Sequence, residues 1–410
     1  MGSRIDGSAI DKVLEEAVGT GAVPHVAAIA ADRDGVLYEG GAGVRIAGES
    51  DDPVTAATQF RIMSMTKMVC TAAALQQMER GELDFDAPVD TYVPAFADLQ
   101  VLDGFDGDTP RLRPPASRAT VRHLVTHTAG LGYWFWDADL VRYEQATGLP
   151  NVVPGSAEAF KAPLLADPGT RYTYGINIDW LGRVVEAVAG KTLDVVVKER
   201  ITEPLGMGDT MFRLDEPRSA NCVTVHVPGE GGAWVSAGEI LNQAPDWWAG
   251  GHGLYSTPRD YIRFERMLLR GGELDGERIL TQETVDAAFT NQIGDLDFPA
   301  EIPTADPPVT ASFNAGPGWK WGYGLLLNTM DVPGMRRAGT GAWAGLFNTH
   351  FWVDPASGVT GAVYTQSLPF VEPRVFALYP AFESALYASL GEEPVQRRFT
   401  REGAPVEQTT

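Results

Sequence analysis

Apolar residues recur at helical spacing across residues 7–19, where Ile10, Val13, Leu14 and Val18 share one face and predict a helix. The pattern then shortens. Val23 to Ala31 is apolar but for His25, and Gly35 to Glu39 follows it after Asp32, Arg33 and Asp34, which predicts a hairpin. Residues 68–80 read as a helix stopped by Gly81, and Ala119 to Val125 as a shorter one. From about 82 to 245 the chain is rich in loops, proline and short helices, with one strong helical pattern at 177–200. A helix follows at 257–270, with Thr257-Pro258-Arg259-Asp260 as its N-cap signal. Strands are expected at 322–328, 335–338, 346–353 and 358–364, and a last helix at 371–390.

Strands near both ends with a helical insertion between them do not suit a parallel, doubly wound sheet, which needs alternating strands and crossover helices. The layout predicts an α+β fold: an antiparallel sheet flanked by helices and closed by segments from both termini, with a mostly helical second lobe. Residues 1–81 and 246–391 would form the sheet lobe and 82–245 the helical one, while the polar stretch 392–410 would be a mobile tail. No internal repeat is apparent.

Composition narrows the class. A chain of 410 residues, 44% hydrophobic and 21% charged, can enclose a large core. Its net charge of −22 argues against nucleic acid or an anionic membrane as partner. Two cysteines, Cys70 and Cys222, make no disulfide framework, and Cys70 reads as a packed small hydrophobe. With no apolar leader at the N-terminus and no run of bilayer length, a cytoplasmic location is expected. The six histidines form no helix-spaced ligand pair, and no Cys-x-x-Cys or glycine-rich phosphate loop is present, so neither metal nor nucleotide cofactor is expected. Absence of a Gly-x-Ser-x-Gly elbow removes the commonest serine-hydrolase architecture.

Ser64-Met65-Thr66-Lys67 carries the chemistry. Positions i and i+3 share a helix face, so the Lys67 amine can reach the Ser64 hydroxyl. An amine held below its usual pKa of about 10.4 can take the serine proton. At a helix start, the Ser64 N–H also stands where an oxyanion could be held. A second stretch, Asp167 to Gly182, uses a Pro168-Gly169 turn to deliver Tyr174 to the mouth of a helix. A phenol there relays protons if the nearby ammonium lowers its pKa. In a third stretch, Gly339 to Asp354, small residues run into an aromatic strand, as in an edge strand that approaches a ligand closely.

Together these residues resemble the serine β-lactamase and penicillin-binding-protein superfamily in its class C-like branch, with family VIII carboxylesterases as the nearest pattern. The resemblance runs from about residue 10 to 390 and includes Phe60 to Lys67, Gly81 to Asp84, His123 to Trp134, Pro168 to Gly182, Gly250 to Thr257 and Trp321 to Leu325. It implies a β-lactamase-like fold with Ser64 as acylated nucleophile and Lys67 and Tyr174 as base and proton relay. It further implies an oxyanion hole from the backbone N–H groups of Ser64 and Leu346, with Tyr133 and Trp343 bordering the site.

Two departures matter. The superfamily's Tyr-Ser/Ala-Asn motif is here Tyr174-Gly175-Ile176, with Asn177 one place late, and its Lys-Thr-Gly is Trp343-Ala344-Gly345. A tryptophan in place of the carboxylate-holding lysine implies neutral ester substrates. Trp134, Trp248 and Trp343, with other nearby aromatics, supply either an apolar pocket or core packing. His127 is expected to brace the loop before Tyr133, Gly345 to line the substrate pocket, and His252 either to line it as well or to sit in a surface loop. The resulting expectation is a cofactor-free carboxylesterase acting on small-molecule esters of short or medium acyl chain. An acyltransferase, a β-lactam or amide hydrolase, and a non-catalytic ligand-binding relative are the alternatives.

Overall fold

In the computed structural model, which describes residues 5–241 and 245–391, segments from both ends of the chain share one sheet. β1 (His25–Asp32) and β2 (Val36–Gly43) form the expected hairpin, and Asp32 Oδ1 closes its turn by accepting the Asp34 and Gly35 N–H groups. β3 (Trp319–Trp321), β4 (Leu326–Asn328), β5 (Gly341–Gly345), β6 (Thr349–Asp354) and β7 (Val359–Tyr364) complete it. The order is β3-β4-β5-β6-β7-β1-β2, seven strands paired antiparallel throughout.

The five longest helices among the described residues are α1 (Ser8–Gly19), α2 (Thr66–Glu79), α3 (Asn177–Ala189), α4 (Pro258–Leu269) and α5 (Leu378–Ser389). Both faces of the sheet are covered, which is why β1 is apolar from Val26 to Ala31. Val26, Ala28 and Ala30 join Ile10 and Leu14 of α1 and Phe382 and Leu386 of α5, whereas Ala27, Ile29 and Ala31 join the opposite core with Phe264 of α4. α2 threads that second core, and every residue from Thr66 to Gln77 is buried. A helix enclosed on all sides needs no polar face, so the charge of Lys67 inside it requires a reason.

Several element boundaries differ from the sequence expectation. The helix expected at 177–200 ends at Ala189, because Gly190 takes a left-handed φ of 64° and caps α3; a short helix, Leu193–Val197, follows. Of the strand expected at 322–328 only β4 is extended; β3 lies just before that range, and between them Gly324 takes φ 79° in a position that leaves no room for a Cβ against Met68 of α2. Residues 335–338 are not a strand: Arg336 is drawn into a buried ion pair, its Nε donating to Glu383 Oε1 at 2.8 Å. The strand in that region is β5. β6 begins at Thr349 and not at 346, since Asn348 turns the chain at φ 61°. The last helix is two pieces, Pro373–Phe376 and α5. Between α2 and α4 the chain also forms two hairpins, Val101–Asp106 with Thr109–Arg113 and Val225–Pro228 with Trp234–Gly238. The expected tail, 392–410, lies outside the described residues. Among the described residues no helix is long and apolar enough to cross a membrane.

Candidate active site

Ser64 sits on a single 3-10 turn, Met63–Met65, that runs directly into α2. Met63 has φ 47°, a left-handed conformation that costs a side-chain-bearing residue about 1–2 kcal/mol. Neighbouring bonds hold the turn there. The Ile62 N–H donates to Leu254 O at 3.1 Å, the Leu254 N–H to Thr66 Oγ1 at 3.1 Å, and the Tyr261 hydroxyl to Met65 O at 2.9 Å. Gln366 grips the Arg61 peptide from both sides, accepting its N–H at 2.9 Å and donating to its carbonyl at 3.1 Å. The Met63 side chain is packed with Val225, Leu241, Phe347 and Leu368.

One helical turn on, the Lys67 amine is fully buried and has three partners: Ser64 Oγ at 3.1 Å, the Tyr133 hydroxyl at 3.1 Å and the Gly251 carbonyl at 2.8 Å. Behind two of these stands a carboxylate that the sequence patterns did not single out. Asp179, in the first turn of α3, accepts the Gly251 N–H at 2.8 Å and the Tyr133 hydroxyl at 3.3 Å. Burial pushes Lys67 well below the ordinary lysine range, and the Asp179 charge offsets part of that shift. Burial likewise pushes Asp179 above the carboxylate range, opposed by Lys67 and by its two donors. His252 is buried, its Nδ1 is 3.6 Å from Asp179 Oδ1, and burial with the nearby Arg61 and Lys67 charges keeps it neutral.

Glycines bring these groups together. A Cβ on Gly175 would stand 2.2 Å from the Gly132 carbonyl carbon, so the two backbones touch and set Tyr133 and Tyr174 side by side, ring centroids 5.4 Å apart. The Lys67 amine lies 5.1 Å from one ring centre and 4.8 Å from the other. Likewise a Cβ on Gly251 would stand 2.6 Å from Asp179 Oδ2.

The Tyr174 hydroxyl accepts the Trp343 indole N–H at 3.1 Å, and Ser64 is near enough to favour its ionised form. Its pKa corrects the sequence expectation: burial raises the phenol, and the bonds from Ser64 and Trp343 offset only part of the rise. Tyr174 is therefore a neutral hydroxyl that can pass a proton, not a standing phenolate. His127 packs under its ring, centroids 4.8 Å apart, and Nδ1 meets the Asn177 amide at 3.0 Å. Asn177 also donates to Leu131 O and Thr173 O, at 2.9 and 3.0 Å, so it ties the two tyrosine loops together and makes no bond to Ser64 or Lys67.

β5 supplies the other wall. Its place is third in the sheet order, but pairing with β4 is confined to Gly341 and Ala342; Trp343 to Gly345 run past the start of β4 and pair only with β6. That half of the strand is an edge, as the small residues suggested. A Cβ on Gly345 would stand 2.3 Å from Ile62 O, so the β5 backbone is pressed against the Ser64 turn, and Leu346 follows immediately. Trp343 packs on Trp321 and Phe298, ring centroids 4.7 and 6.2 Å away.

The remaining expected residues divide. Trp134 is a buried core ring, its indole N–H bonded to Asp306 at 2.9 Å. Its neighbour Trp136, one of the other aromatics expected near the pocket, meets Tyr174 at 5.4 Å between ring centroids and stacks on Phe313. A cavity of about 330 Å³ opens beside Tyr133, Trp136, Tyr174 and Ile302. Trp248 and His252 line a separate space of about 20 Å³ with Arg61 and Trp247, room for roughly one water.

A sheet closed by both termini, over a Ser-x-x-Lys pair flanked by a tyrosine and an edge strand, defines a β-lactamase-type serine enzyme. The sequence matches the beta-lactamase family over residues 10–385, and the chain belongs to that family. It is 30% identical to monacolin J acid methylbutanoyltransferase of Aspergillus terreus, over 95% of this chain and 99% of that one. Identity to lovastatin esterase of Penicillium rubens is 32%, over 92% and 98%. The fold superposes on a mutant of simvastatin synthase from Aspergillus terreus with a TM-score of 0.81 at 28% identity, covering 96% of this chain and 100% of that one. The family thus holds ester hydrolases and acyltransferases alike.

Proposed function

We propose that this protein is a serine acyltransferase with esterase activity on small-molecule esters, working through an acyl-enzyme on Ser64. The observation that carries the reading is the 3.1 Å contact between the Lys67 amine and Ser64 Oγ, within a site that disfavours the charged amine. The neutral amine takes the Ser64 proton as Oγ attacks the ester carbonyl. The tetrahedral intermediate then collapses, the bond from acyl carbon to alcohol oxygen breaks, and the departing alcohol takes a proton from Lys67 through the Tyr174 hydroxyl. An incoming alcohol or water attacks the Ser64 ester, yields its proton to the same pair, and returns Ser64 to its hydroxyl form.

The N–H groups of Ser64 and Leu346 are the proposed oxyanion donors, supported by the close packing of β5 on the nucleophile turn. Loss of one such donor typically costs about 2.7–4 kcal/mol of barrier. Trp343, in place of the lysine of the β-lactamase and transpeptidase pattern, favours acyl groups recognised by shape. Transfer to an alcohol fits the relatives better than simple cleavage of short esters, which becomes the water branch of the same cycle.

The test supplies p-nitrophenyl butyrate with and without 1-butanol and follows both products by gas chromatography. Butyl butyrate should form at the expense of butyrate as the alcohol rises. Butyrate alone at every alcohol level would reduce the reading to an esterase. Fast nitrocefin turnover with inert esters would replace it with β-lactam hydrolysis.

A further inference from the structure

Asp179 makes no hydrogen bond to Ser64, yet it bonds to two of the three partners of Lys67. A neutral amine has two N–H bonds and one lone pair. The Gly251 carbonyl can only accept, so it takes one N–H. The Tyr133 hydroxyl has a single proton, which it gives to Asp179 Oδ2, so toward Lys67 it too can only accept. Both N–H bonds are then committed, and the lone pair faces the remaining partner, the Ser64 hydroxyl.

Resting on the acyl-enzyme reading above, we propose that Asp179 is a positioning residue: by fixing the Gly251 peptide and the Tyr133 proton, it aims the Lys67 lone pair at Ser64. The carboxylate suits the task because, when ionised, it accepts from both sides and donates to neither. Gly251 suits it because any side chain there would displace the carboxylate. An amide in its place would not do the same. In Asp179→Asn the new side chain would present an N–H₂ to Tyr133, the tyrosine proton would turn toward Lys67, and the lone pair would be taken up by the wrong hydroxyl.

That reversal gives the test. Ser64 labelling by a fluorophosphonate probe is followed by intact mass, with thermal unfolding as a control for folding. Asp179→Asn should slow labelling about tenfold or more, the scale of one charge-assisted hydrogen bond. Adding Tyr133→Phe removes the misdirected donor, so the double variant should label faster than Asp179→Asn alone. A merely structural role predicts the opposite, a double variant slower than either single one.

The titratable and charged groups around the amine are Tyr133, Tyr174, His127, His252, Cys70 and Arg61, besides Asp179. Asp179, ahead of Cys70, has the largest part in holding the lysine proton, so its removal should also move the acid limb of labelling to lower pH. If Asp179→Asn does not fold, Gly251→Ala takes its place and should slow labelling by displacing the carboxylate. Wild-type labelling in that variant, or in Asp179→Asn, overturns the proposal. Failure of the acyl-enzyme reading itself looks different: wild type takes no label, or Ser64→Ala takes it equally well.

Discussion

Lys67 and Trp343 both reach Tyr174, the amine 4.8 Å from its ring centre and the indole N–H 3.1 Å from its hydroxyl, and the two are held by different forces. On the lysine side every contact is directional. The amine has three partners, two of them bonded in turn to Asp179, and Gly251 leaves no space for adjustment. On the tryptophan side a single hydrogen bond is set among rings, Trp321 and Phe298 on one flank and Trp136 beyond Tyr174. Removing a partner from a buried polar network leaves a group unsatisfied, whereas changing an apolar wall alters volume. The lysine side should therefore set the rate, and the tryptophan side the choice of acyl group.

Lys67→Met breaks the comparison hardest. Loss of the base should lower ester turnover about 10³-fold, within the range for general base catalysis, at nearly unchanged affinity. Stopped-flow kinetics would check it, and a change in KM alone would place Lys67 in binding. Next comes Tyr174→Phe, expected to cost about 10²-fold in turnover with little loss of folding stability. Near-normal turnover would remove Tyr174 from the proton path.

The pH dependence sharpens the assignment. Only the neutral amine can accept a proton, and burial lowers the Lys67 pKa, so turnover should rise with pH and level off well below the usual lysine value of about 10.4. Because burial raises Tyr174, the same limb should persist in Tyr174→Phe. Trp343→Leu should act differently, shifting the preference between bulky and short acyl esters by about tenfold, as pocket volume typically does. Trp134→Phe should matter least: it removes the bond to Asp306 and costs about 1 kcal/mol of stability in a denaturant titration, with activity nearly intact.

How much of this was legible follows the same division. Ser64, Lys67 and Tyr174 stand out because their chemistry depends on local spacing, three residues along a helix or one turn before it. Asp179 did not stand out. A carboxylate in the first turn of a helix reads as a partner for the helix dipole, and only the packing of α3 against α2 turns it toward the amine. Gly175 and Gly251 were visible as glycines, but what they make room for is a tertiary fact. The strand misplaced at 335–338 has the same origin, since the Arg336–Glu383 pair joins residues far apart in the chain. At 190 the helix end was written in the sequence, as a glycine that the apolar pattern on either side obscured.

The central claim is that Ser64 carries the acyl group between donor and acceptor. Rapid-quench mass spectrometry during turnover of p-nitrophenyl butyrate tests it most directly. The protein should gain the mass of one butyryl group, located on the Ser64 peptide, and lose it faster when 1-butanol is added. A mass gain that persists in Ser64→Ala, or rapid turnover with no acylated protein at any quench time, would contradict the account.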